Sequence, residues 1–256
     1  VLVLFIVGLL AIPCIASAAV VEKGLVLYFP FEEGAGDMAK DASGNNNDGV
    51  IKGAAKWVAS MDKFGKALQF NGADVDVRAP HIPFDNRSFT VMMWVNPILF
   101  TQEQLVFSQM QSNTTNLSLH FRLGGPGCSS APVRGIRFGF YSNDLDSPAG
   151  LIEDNTWYHL TFWYDFSAKT RRIYVNGEKQ AEDKGNSPFL GTSGVTAVGS
   201  WTNTGQYYKG IIDEVRVYNY AVPESVIKNA MAGPVGMAVK SDGKLATTWA
   251  VIKARN

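Results

Sequence analysis

From residue 24 onward the sequence is a succession of short apolar or alternating stretches, each broken within a few residues by Gly, Asn, Asp or Pro. Stretches of that length and punctuation suit extended strands and leave no room for long helices between them. They fall at 24–31, 67–70, 75–77, 89–95, 105–108, 117–123, 135–141, 157–164, 171–175, 197–201 and 210–218, with a further strand beginning at Val50-Ile51. Asn71-Gly72 and Asn176-Gly177 each read as a hairpin turn, because an Asn-Gly pair tolerates positive φ at both central positions. One helix is expected, over 223–231, opening on Pro223-Glu224 and stopped by Gly233-Pro234. Many strands without alternating helices define an all-β class, a two-layer antiparallel β-sandwich with a short C-terminal helix.

The length of 256 residues suits one large sandwich. Residues 1–12 are almost wholly apolar, and 13–19 then supply small residues of the kind a signal peptidase accepts. We therefore expect a signal peptide over 1–19, a domain over 20–235 and a tail or linker over 236–256. A membrane anchor is the lesser alternative, since the apolar run is shorter than the roughly 20 residues a spanning helix needs. Lipidation of Cys14 is another, although Pro13 fits such a cleavage site poorly. The expected location is secreted, extracellular or at the cell surface. Without Cys14, Cys128 has no partner for an internal disulfide, and with no His or Lys beside it in sequence it reads as a half-buried loop cysteine.

Lys plus Arg number 23 and Asp plus Glu number 23. A chain with no net charge lacks the basic footprint that nucleic acid or an anionic membrane requires, so neither is an expected partner.

The order of the pieces resembles the laminin-G-like jellyroll domains of the concanavalin A-like lectin/glucanase superfamily. Residues 27–34, followed by Asp41 to Gly44 and Gly49, resemble the family's opening strand and loop. Residues 64–72 with 75–77 resemble its second block, and 89–95 its central strand. Residues 157–160, 173–177 and 210–218 follow in the family's order, so the likeness spans 24 to about 231. The same fold carries lectins, hydrolases and adhesion modules, so the site needs its own argument.

The resemblance implies a structural calcium ion between the early loop and the strand bearing Ile212-Asp213-Glu214-Val215, with Asp41, Asp213 and a backbone oxygen such as that of Gly49 as ligands. The oxygen-rich loop holding Asp41, Asn45, Asn47 and Asp48 is compatible with a hard cation. The competing reading is that Asp41 and Ser43 close an Asx turn and Asp213 bonds loop amides.

Catalytic constellations are absent from the text. Glucanases of this superfamily place paired carboxylates on one face of a strand, whereas Asp213 and Glu214 are adjacent and are expected on opposite faces. Glu22, Glu32, Glu33, Asp37 and Asp41 lie in turns. The only histidines are His81, His120 and His159, with neither a nucleophile elbow nor zinc-ligand spacing, and His159 reads as a packed core residue.

Sugar binding requires exposed aromatic rings beside polar groups. Trp201, Tyr207 and Tyr208 flank the polar stretch 202–206, which makes Trp201, Asn203, Gln206, Tyr207 and Tyr208 the first candidate site, although Trp201 also reads as core. Tyr141, Asn143 and Asp144 form a second, whereas Trp94, Trp157 and Trp163 read as core. Asn86, Asn113 and Asn116 head short glycosylation-type triplets. The expected function is an exported, non-catalytic module that binds a glycan or a surface protein. The alternatives are a glycan-degrading hydrolase or lyase on the same fold and a structural surface component.

Overall fold

In the computed structural model, the described residues are 22–61, 64–99, 103–202 and 205–235. The expected signal peptide, with Cys14, and the expected tail lie outside them.

Two antiparallel sheets face each other. The first contains β1 (Leu25–Phe29), β4 (Lys56–Ala59), β5 (Lys66–Asn71), β7 (Phe89–Pro97), β12 (Tyr158–Asp165), β13 (Thr170–Val175), β14 (Glu178–Lys184) and β16 (Lys209–Tyr218). Its order is β14-β13-β12-β7-β16-β5-β4, with β1 also on β16. The second contains β2 (Met38–Ala39), β3 (Gly49–Lys52), β6 (Asp76–Ala79), β8 (Gln104–Met110), β9 (Ser118–Leu123), β10 (Ile136–Gly139), β11 (Asp144–Asp146) and β15 (Thr196–Val198), in the order β11-β10-β9-β8-β15-β6-β3-β2. The all-β sandwich expected from the strand pattern is thus the observed architecture. Strands β2, β4 and β11 are additional to that pattern; each is short and carries too little apolar text to stand out.

Alternation along each strand fixes which face is inside. Leu119, Phe121 and Leu123 of β9 point into the sandwich, where Phe121 stacks on Phe162 of the opposite sheet with centroids 3.9 Å apart. His120 and Arg122 consequently point outward.

Asn176-Gly177 makes the hairpin expected of it, with φ of 52° and 79° between β13 and β14. Asn71-Gly72 does not. Strands β5 and β6 belong to different sheets, so this turn is a corner that carries the chain from one layer to the other. The Asn71 side chain holds the corner by accepting N–H bonds from Ala73 and Asp74 at 2.9 and 3.1 Å.

Strand β16 changes partner halfway along. Residues 209–212 pair with β5, and from Val215 onward the same edge pairs with β1. The seam is a bulge between Asp213 and Arg216, with Glu214 at φ 54°. A bulge inserts an extra residue and breaks alternation. Ile212 and Val215 both enter the core, so Asp213 and Glu214 both face away from it. The expectation that these adjacent carboxylates lie on opposite faces is therefore corrected.

Helix α1 (Glu224–Ala232) covers this outer face. Its buried Ile227 and Ala230 pack on Tyr28, Met92, Trp163 and Tyr218 in a second, smaller apolar cluster. Beneath it, the Tyr28 hydroxyl donates to both Glu214 oxygens at 2.8 and 3.0 Å, and Arg216 pairs with Glu214 and donates to the Gly233 carbonyl.

Candidate functional site

The outer face of the second sheet gathers polar and aromatic side chains around Trp201. The segment after β15 turns back over the sheet and places this indole, only 2% exposed, against Leu105 and Met110. The Arg122 guanidinium lies 4.4 Å from the indole centroid, the His120 ring 5.1 Å and the Tyr141 ring 6.1 Å, edge-on. Trp201 and Tyr141, one from each candidate group named from the sequence and sixty residues apart, thus meet on one face.

Ion pairs frame the aromatics. Arg122 pairs with Glu103, which also accepts hydrogen bonds from Ser130 Oγ at 2.5 Å and Gln206 Nε2 at 2.7 Å. Burial pushes the Glu103 carboxyl upward, but the Ser130 bond and the Arg122 charge outweigh it and hold the group below the usual range. Arg122 Nε donates to His120 Nδ1 at 3.0 Å, while His120 Nε2 lies 3.3 Å from the Tyr141 backbone N and 3.4 Å from Asp144 Oδ1. Burial lowers the His120 pKa to about 4. Asp144 is likewise held low: burial opposes ionisation, while the His120 bond and the charges of Arg137 and Arg122 favour it. Arg137 lies 3.5 Å from Asp144 and 2.7 Å from Asp146.

Tyr141 is delivered by a tight turn between β10 and β11. Phe140 N donates to the Asn143 carbonyl at 2.9 Å, and Tyr141 and Ser142 have φ of 64° and 54°. Neither is glycine, so each carries backbone strain on the order of 1 kcal/mol. The turn is braced from behind by the Asn143 side chain, which donates to Asn116 Oδ1 at 2.6 Å and the Ser187 carbonyl at 3.0 Å.

The sequence candidates therefore separate by burial. Tyr208 is fully buried, edge-on to Phe70 at 5.8 Å, and Trp201 is packed beneath its neighbours, so neither offers an open ring face. Asn143 is buried in the turn's scaffold. Gln206, Tyr207, Tyr141 and Asp144 are half-buried and reach solvent, and Asn203 lies outside the described residues. Sequence reasoning passed over Glu103, His120, Arg122, Arg137 and Asp146. Polar residues at every second position within 118–123 were the available signal for His120 and Arg122.

The early loop serves another end. Asp41 Oδ1 accepts N–H bonds from Tyr28 and Ser43 at 2.9 Å each, and Oδ2 accepts one from Asn47 at 2.9 Å. Asn45 and Asn47 donate their side-chain amides to the carbonyls of Leu25 and Val26 at 3.0 and 2.8 Å. The loop thereby seals the edge of β1 that β16 does not cover, in place of another strand. Asp213 accepts from Ser60 Oγ and from Glu214 N, and Gly49 pairs with Ala39 in the β2–β3 ladder. Among the described residues no group of three His, Cys, Asp or Glu side chains is placed to hold a metal. The hydrogen bonds of Asp41 are to backbone amides, and those of Asp213 to a serine hydroxyl and a backbone amide.

His159 is buried, edge-on to Trp94 at 5.2 Å, and burial lowers its pKa to about 3, so it is a packing residue. Cys128 is free and buried. Among the described residues no helix is long and apolar enough to cross a membrane.

The two facing antiparallel sheets define a jellyroll of the concanavalin A-like type. A laminin-G family model, described as the concanavalin A-like lectin/glucanases superfamily, matches residues 71–228, and the chain belongs to that superfamily. No curated protein sequence matches significantly. Among solved structures, the chain is similar to domain 4 of AbnA, an extracellular arabinanase of glycoside hydrolase family 43 from Geobacillus stearothermophilus in complex with arabinotriose. The identity is 22%, over 80% of this chain and 97% of that one, with a TM-score of 0.62. The binding domain of Paraclostridial Mosquitocidal Protein 1 aligns at 18% identity over 80% of this chain, TM-score 0.60, and a Trypanosoma rangeli sialidase at 18% over 87%, TM-score 0.61. The chain spans only 51% and 36% of those two. At such identities the likeness is one of fold.

Proposed function

We propose that the chain is an extracellular, non-catalytic module that binds a glycan on the outer face of its second sheet. The observation that carries this reading is the half-exposed Tyr141 ring edge-on to a buried Trp201, framed by the Arg122–Glu103 and Arg137–Asp144 pairs, with half-exposed Tyr207 following Gln206, which bonds Glu103. Sugars present apolar C–H faces and hydroxyl rims, and such a surface meets both. A role for domain 4 of an arabinanase in holding arabinotriose, as its complex is described, is consistent with glycan recognition on this architecture.

Electrostatics favour binding over hydrolysis. Glycoside cleavage needs one carboxyl kept protonated as the acid beside an ionised partner. Glu103 and Asp144 are both held low, so each is ionised at neutral pH. The carboxyls that are pushed up, Asp213 and Glu214, are buried on the outer face of the other sheet, away from any incoming sugar.

The test is a glycan array followed by calorimetry with the full chain, alongside a reducing-sugar assay on every glycan bound. Binding without release of reducing ends supports the proposal. Turnover of a bound glycan refutes the non-catalytic assignment, and silence across the array refutes glycan recognition.

A further inference from the structure

Around Trp201, two guanidinium groups meet three carboxylates. Arg122 pairs with Glu103, and Arg137 with Asp144 and Asp146, so the patch carries two positive charges against three negative. His120 adds none, because burial keeps it neutral above about pH 4. Beyond the patch, Arg78 next to Tyr207 is likewise taken, 3.0 Å from the buried Asp76.

Neither guanidinium of the patch is held ready for an anion. The Arg122 and Glu103 side chains are only 12% and 7% exposed, and Glu103 is fixed by Ser130 and Gln206 as well. An entering carboxylate or sulfate would have to displace a built-in carboxylate or approach it with like charge, in a setting too buried for solvent to screen fully. A hydroxyl meets neither obstacle. It donates to a carboxylate and accepts from a guanidinium at once, so it bridges the rim of an ion pair without breaking it.

Resting on the glycan-binding reading above, we infer that the ligand is a neutral oligosaccharide, read through its hydroxyls by the Arg122–Glu103 and Arg137–Asp144–Asp146 pairs with Tyr141 and Tyr207 against its C–H faces. Uronate-bearing, sulfated and sialylated glycans are excluded by the same three carboxylates.

The experiment uses the full chain on an array of neutral pentose and hexose oligosaccharides together with uronate, sulfated and sialylated ones. Bound glycans are then titrated at about 50 and about 500 mM sodium chloride, where surface charges pass from weakly to strongly screened. The expected result is binding confined to neutral members, with affinity changing by less than about twofold between the two salts. Anionic members bound in preference, with affinity falling about tenfold or more at high salt, would overturn the inference while leaving glycan recognition intact. An array silent for neutral and anionic members alike removes both.

Discussion

The Arg122 guanidinium lies 4.4 Å from the centre of the Trp201 indole while pairing with Glu103, so one cation is held by a ring face and a carboxylate together. Trp201 is in this sense the floor of the candidate site. Replacing it by Ala opens a cavity beside Leu105 and Met110 and removes the ring under Arg122. We expect Trp201→Ala to cost about 3–5 kcal/mol in urea unfolding, with Trp201→Phe losing markedly less. Equal losses for both would contradict a packing role.

Tyr207 and Tyr141 are expected to behave in the opposite way. Tyr207→Ala removes a half-exposed ring and should alter stability by no more than about 1 kcal/mol while weakening glycan binding about tenfold. Tyr141→Gly also relieves the positive φ at that position, so its melting temperature should stay near that of the parent while affinity falls. Calorimetric titration paired with thermal melts separates these effects, and affinity surviving both changes would move the site elsewhere.

Asp41 organises the loop that seals β1. Asp41→Ala removes the acceptor of three backbone N–H bonds, and a loss of about 2–4 kcal/mol is expected. Because those partners are amides, the drop in melting temperature should be the same in calcium and in a chelator. A deficit confined to the calcium sample would establish metal ligation instead.

Asp213 carries a pH signature. Burial, reinforced by the nearby charge of Glu214 and opposed by the Ser60 hydrogen bond, raises its pKa from 3.8 to about 8. The folded chain therefore binds a proton that the unfolded chain releases between those values. Stability falls as pH rises from about 4 toward about 8 and levels off above, since the unfolded state is then the one with fewer protons bound. Asp213→Asn keeps the acceptor without the charge. We expect it to gain stability over the parent on the order of a few kcal/mol at pH 8 and almost nothing at pH 4, measured by urea unfolding across that range. A gain independent of pH would rule out this carboxyl as the source.

Much of the fold was legible because strand propensity and alternation are local. The text of 118–123 already places Leu119, Phe121 and Leu123 on one face and His120 with Arg122 on the other. The Asn176-Gly177 hairpin follows from the backbone freedom of two adjacent residues. The same dipeptide at Asn71-Gly72 misled, because turn chemistry states only that the chain reverses and not whether the next strand joins the same sheet. Asp213 and Glu214 misled for a related reason: alternation holds only where the ladder is unbroken, and β16 breaks it at the point where one edge passes from β5 to β1.

By itself the sequence determined the all-β class, the terminal helix and the aromatic candidates, since each depends on neighbours a few positions apart. Only the tertiary structure decided that Trp201 lies under Arg122, that Tyr141 and Tyr207 reach solvent while Tyr208 does not, and that Asp41 answers to amides. Those outcomes depend on which strands become neighbours across long loops. That choice is made by the burial of the whole apolar set at once, not by any one segment.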